Sequence, residues 1–190
     1  MPKAILIMTL LAATATSLPA TAQEPAAPAR QQYLVNAGDT LEISVWKEED
    51  LQREVLVRPD GGMSFPLAGE IQAEGRTVAQ IREDLAARLS RYIPDLVLTV
   101  TVTDVSGNRI FVVGQVVSPG VFIMNPDLDV MQALSLAGGT TPFASLKDIK
   151  ILRRQGDRRT AVNFDFTDVS RGRSLEQNIV LRSGDVVVVP

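Results

Sequence analysis

The stretch "RPDGGMSFPLAGEIQAEGRT", Arg58 to Thr77, gathers Asp60, Glu70 and Glu74 on a backbone rich in glycine and proline. Carboxylates held by flexible loops are what acid-based glycan hydrolysis needs, provided two converge across a cleft and one has a raised pKa. The chain has no histidine and no cysteine. That removes Ser-His-Asp triads, thiol nucleophiles, disulfides and His- or Cys-ligated metal sites, so any chemistry would fall to acids, hydroxyls, Lys or Arg. A plainer reading competes. Pro59 presets φ, Asp60 can bond its own turn backbone, and Gly61 accepts positive φ, which makes Pro-Asp-Gly a turn signature in its own right. The turn reading is preferred, with Glu70 and Glu74 as polar-face or loop positions. Asp39 and Asp185 each follow a glycine and open a strand, and the same reading covers them.

Two other features suggest contact rather than catalysis. Trp46 lies on the polar face of its strand, where it can stack on a sugar or a partner. Arg153, Arg154, Arg158 and Arg159 cluster at one expected hairpin tip and can meet an acidic polymer, a neighbouring subunit or only solvent. The glycine pairs lack the downstream Lys-Ser/Thr of a phosphate loop, and no motif points to a cofactor or metal. A net charge of −3 over 190 residues argues against a nucleic-acid partner.

These side chains must be placed by short elements. "YLVNAGDTLEISVW" (33–46) turns at Gly38-Asp39 and then alternates Leu41, Ile43 and Val45 against Glu42, Ser44 and Trp46, a half-buried strand. "REVLV" and "GMSFPLAGEI" flank the Asp60 turn and are expected to pair across it as a hairpin, with a second bend at Pro66 and Gly69. Thr77 with Gln80 forms a capping box. Val78, Ile81, Leu85, Leu89 and Tyr92 then make a helical stripe that Pro94 ends. "LVLTVTVTDV" (96–105) is a strand. After "SGN" the pattern restarts: strand, Pro119-Gly120 turn, strand, an Asp129-capped helix stopped by Gly138-Gly139, a hairpin around Gln155-Gly156-Asp157, and a last Gly-Asp-strand, "SGDVVVVP".

The expected fold is α+β, with two small β-rich domains each carrying about one main helix: residues 33–105 and 106–190. Domains of this size bury limited apolar area and are expected to lean on each other or on neighbouring subunits. Ahead of them, Lys3 and "AILIMTLLAATA" resemble the n- and h-regions of a signal peptide (1–22), with a small-residue cleavage site between Ala22 and Gln23. Residues 23–32 form a Pro/Ala leader. An exported protein is expected.

In their order, these motifs resemble the outer-membrane polysaccharide export proteins of Gram-negative bacteria. "YLVNAGDTLEISVW", "VRPDGGMSFPLAGEIQAEGRT" and the helix after it look like the family's export domain. "RIFVVGQVVSPGVF", "ALSLAGGTTPFA" and "SGDVVVVP" look like its second module, the soluble-ligand-binding β-grasp. The resemblance implies transport without covalent chemistry, in a ring-shaped homo-oligomer enclosing a conduit for capsular or exopolysaccharide. It also implies an inner-membrane copolymerase as partner. The family's structural positions carry over as Gly38, Asp39, Asp60, Gly61, Pro66, Gly69, Gly75, Gly114, Pro119, Gly120, Gly138, Gly139 and Asp185. Many members have a lipidated cysteine and a C-terminal amphipathic helix, which this sequence does not show. The resemblance is therefore to a short subclass, expected at the periplasmic side of the outer membrane without a lipid anchor and beside a separate β-barrel. A glycan-binding or regulatory module that touches the copolymerase without forming a pore is the alternative, and an acid-based hydrolase the weaker one.

Overall fold

The computed structural model describes residues 32–156 and 158–190; the expected signal peptide, its Ala22–Gln23 cleavage site and the leader up to Gln31 lie outside them. Two separate apolar cores form, one from Val35 to Val100 and one from Ile110 to Val189.

In the first module the alternation of "TLEISV" makes β1 (Thr40–Val45), with Leu41, Ile43 and Val45 buried. β1 is the centre of a three-stranded antiparallel sheet, between β2 (Glu48–Leu56) and β5 (Leu98–Asp104). A two-residue turn at Trp46 and Lys47 joins β1 to β2, with Lys47 at φ 68°. β3 (Gly62–Phe65) and β4 (Gly69–Gln72) pair only with each other. This corrects the expected hairpin across Asp60. The turn is there, but it carries the chain from one sheet to another, and the hairpin is the Pro66 bend between β3 and β4. The β1 edge is already filled by β2, whose Val55 opposes Leu41 and shares its core face.

α1 (Val78–Leu89) starts at the expected capping box: Gln80 N–H donates to Thr77 Oγ1 at 3.3 Å and Thr77 N–H donates to Gln80 Oε1 at 3.0 Å. Ile81, Leu85 and Leu89 are fully buried, a stripe whose truncation costs about 2–5 kcal/mol per leucine. Tyr92 departs from the expected stripe. The helix ends at Leu89, so Tyr92 falls in the following turn and is exposed, while Ile93 packs on the core instead.

The second module is a five-stranded mixed sheet in the order β7-β6-β10-β8-β9. Its strands are β6 (Arg109–Gly114), β7 (Gly120–Ile123), β8 (Ile149–Gln155), β9 (Arg158–Phe164) and β10 (Val186–Val189). β10 inserts at the centre, parallel to β6 and antiparallel to β8, which is the β-grasp arrangement. α2 (Val130–Leu136) carries the Asp129–Gln132 capping box and buries Val130, Ala133 and Leu134 against the sheet. A short helix, α3 (Phe166–Ser170), is capped by Asp165; no periodic pattern announced it. No helix among the described residues is long and apolar enough to cross a membrane.

Candidate functional site

The two Gly-Asp turns are built alike and meet near the junction of the modules. In each, the aspartate N–H donates to the carbonyl three residues earlier, Asp39 to Asn36 at 3.1 Å and Asp185 to Arg182 at 3.0 Å. In each, the carboxylate accepts the N–H of that same residue, at 2.8 and 2.9 Å. Both aspartates are buried, so they are more than strand-opening turn residues, and each has a tertiary partner the local sequence does not show. Asp39 accepts the Tyr33 hydroxyl at 2.6 Å and the Gly107 N–H at 3.0 Å. Burial, followed by the bond to Asp39, pushes the Tyr33 phenol above its ordinary range. Asp185 takes a forked bond from Arg153, Nε to Oδ1 at 2.9 Å and Nη2 to Oδ2 at 2.6 Å.

Gly107, in the connection between the modules, is held from both sides. Its N–H goes to Asp39 of the first, and its carbonyl accepts Ser183 Oγ of the second at 2.8 Å. A Cβ at Gly107 would sit 2.4 Å from the Ala37 carbonyl oxygen and 2.7 Å from Asp39 Oδ1. Glycine is therefore required here for close approach. Gly107 does not stand out in the sequence, since "SGN" reads only as a break, and Ser183 opens the "SGDVVVVP" motif without any local sign of this bond.

Asp60 and Glu70 do come together, but on one arginine. Arg58 Nη2 lies 3.1 Å from Asp60 and 2.6 Å from Glu70, and Ser64 Oγ also bonds Glu70. Asp60 Oδ1 accepts the Gly62 N–H at 3.0 Å, closing the turn. The Arg58 side chain holds both carboxyls below their ordinary range. A general acid needs the opposite shift. The positive φ of Gly61, 76°, and its contact with Glu74 and Gln72 explain the glycine. Among the described residues no group of acids gathers as metal ligands.

Residues 27–103 match the model of the polysaccharide biosynthesis/export protein family, and residues 108–189 match the SLBB domain. The chain thus carries an export domain followed by an SLBB domain. It is 26% identical to the EPS I polysaccharide export outer membrane protein EpsA of Ralstonia nicotianae, over 83% of this chain and 47% of that protein. It is also 26% identical to the capsule polysaccharide export protein BexD of Haemophilus influenzae, over 80% of this chain and 42% of that protein. The capsule polysaccharide export outer membrane protein CtrA of Neisseria meningitidis is 25% identical, over 82% and 43% respectively. The chain thus spans less than half the length of these relatives.

The remaining positions fall on bends of the two domains. In the export domain Pro66 and Gly69 bound the β3–β4 hairpin, and the Gly75 N–H bonds the Val35 carbonyl ahead of α1. In the SLBB domain Gly114 ends β6, Pro119 and Gly120 lead into β7, and Gly138 and Gly139 end α2. Trp46 is exposed. The arginine cluster divides. Arg154, Arg158 and Arg159 are exposed beside the β8–β9 turn, whereas Arg153 is half-buried and occupied by Asp185. Arg153 is therefore a structural residue and not part of a projecting tip, because strand alternation turns it away from its neighbour Arg154.

Proposed function

We propose that this protein is an exported, periplasmic component of a polysaccharide export machine, contributing to an oligomeric conduit for capsular or exopolysaccharide at the outer membrane. The observation that carries this reading is the ordered pair of domains, an export domain followed by an SLBB domain, in a chain similar over four-fifths of its length to EpsA, BexD and CtrA. Its work is transport without covalent chemistry. Support comes from Arg58, which neutralises the two acids closest to a catalytic arrangement. An inner-membrane copolymerase would deliver the polymer, and an outer-membrane β-barrel is the proposed continuation of the path.

The test is deletion of the gene in its source bacterium and complementation with the full chain. Polymer should accumulate inside the deletion strain and reappear at the surface on complementation. Asp60→Asn should complement as well as wild type, because an amide preserves the turn bond to Gly62. Normal surface polymer in the deletion strain would refute the reading. Lost export with a well-folded Asp60→Asn protein would return the hydrolase.

A further inference from the structure

Each domain sets one pair of like charges directly opposite each other on an open sheet face. On the export sheet Glu42 of β1 opposes Glu54 of β2. On the SLBB sheet Arg154 of β8 opposes Arg159 of β9. None of the four has an ion-pair partner among the described residues. Like charges directly opposite are destabilising within a sheet, and neither core makes use of them. The core residues of these sheets, such as Ile43, Val55, Ile151 and Val187, occupy the other face.

Both open faces also present apolar side chains. Leu56 follows Glu54 by two positions on its strand and is 59% exposed. Trp46 and Val97, joined by the bond from Trp46 N–H to the Val97 carbonyl at 2.9 Å, extend the β1–β5 ladder and are exposed too. On the SLBB sheet Leu152 lies two positions from Arg154, with Val121 and Val113 further across, all exposed. The strand positions on this face include Lys150 and Arg109 and no acid. One chain therefore carries an acidic-apolar face on its first domain and a basic-apolar face on its second.

We propose that these two faces are the halves of one contact between copies of this chain, with the Glu42–Glu54 face of one subunit seated on the Arg154–Arg159 face of the next. The contact would relieve both like-charge pairs and cover both apolar surrounds. A hydrated acidic glycan would answer the arginines alone and leave the glutamates and the apolar side chains unaccounted for. Because different patches meet, the contact is heterologous and propagates into a ring or a filament. It deepens the conduit reading by naming the surfaces a subunit would use, and rests on that reading for its biological setting only.

The experiment measures the mass of the purified full chain by light scattering, across concentration and salt, with circular dichroism on every variant. Wild type should assemble above monomer mass, less so in high salt. Arg154→Glu with Arg159→Glu, and separately Glu42→Lys with Glu54→Lys, should each weaken association by at least about tenfold while the fold is kept. An equimolar mixture of the two double variants should reassemble, since each supplies the charge the other has lost. Should a reversal unfold the chain, Arg154→Gln with Arg159→Gln gives the same reading at lower amplitude. A monomeric wild type, a mass indifferent to both reversals, or a mixture that stays apart would overturn the proposal. So would polygalacturonate, an acidic polysaccharide, binding wild type but not Arg154→Glu/Arg159→Glu while assembly is unchanged. These outcomes concern assembly in solution; loss of export in the gene deletion is a separate result, so either reading can fail while the other stands.

Discussion

Arg153→Ala is expected to destabilise the SLBB domain although Arg153 belongs by sequence to a run of surface arginines. Asp185 is 1% exposed and stands one residue ahead of β10, the central strand of the sheet. Its charge is met by the forked Arg153 bonds at 2.6–3.2 Å and by the Arg182 N–H at 2.9 Å. Arg153 also donates to the Val180 carbonyl at 3.1 Å. Removing one member of a buried pair costs about 3–5 kcal/mol, because the other charge is left behind in a poor solvent. The Arg153 side chain keeps 14% of its surface in water, so solvent can reach the vacated site and the cost drops just below that range, to about 2–3 kcal/mol. For a chain of this size that is a fall of roughly 4–12 °C in the unfolding midpoint. Arg154→Ala on the same strand should stay within about 0.5 kcal/mol. Circular dichroism melts and urea titrations of the two variants read the difference. A cycle with Asp185→Asn should show that the second substitution costs less once the first is made. Equal midpoints for Arg153→Ala and Arg154→Ala would refute the argument, since only Arg153 leaves a buried partner behind.

Gly107→Ala should lower stability by about 1–3 kcal/mol, the range for an overpacked site, because the added methyl meets the Ala37 carbonyl; Gly120→Ala, where a Cβ meets nothing within 4 Å, should be near neutral in the same melt. Gly61→Val should impair folding of the export domain, as a β-branched residue would need positive φ and its Cβ would lie 2.5 Å from the Gln72 and Glu74 side chains; the soluble yield and melt report it. Asp84, bound by Arg88 at 2.9 Å and Arg76 at 3.0 Å, has its carboxyl held below the ordinary range by those two arginines. A depressed folded-state pKa gives stability that is present above the unfolded value, about 4, and lost as pH falls through the folded one. The gap in urea midpoint between wild type and Asp84→Asn should therefore narrow from pH 7 towards pH 3, and a gap that stays constant would count against the pairing.

Much of this molecule was decided by short-range chemistry. Alternation put Leu41, Ile43 and Val45 inside, the Thr77–Gln80 and Asp129–Gln132 boxes opened α1 and α2, and Gly138-Gly139 closed the second helix. Such signals are readable because the partners lie within four residues and each residue type has few ways to satisfy its backbone. Strand partnership was another matter. The Asp60 turn has the chemistry of a hairpin, yet β2 pairs back on β1 and β3 forward on β4, because the edge a strand takes depends on which core face it must share. Asp39 and Asp185 read as turn formers, and they are; that they are also buried anchors for Gly107 and Arg153 depends on residues 68 and 32 positions away. Arg153 and Arg154 are adjacent and alike in type, and only the pleat of β8 sends one to a buried carboxylate and the other to the open face. The opposed Glu42–Glu54 and Arg154–Arg159 pairs are likewise facts of register, which arises when separate strands meet and not from any one of them.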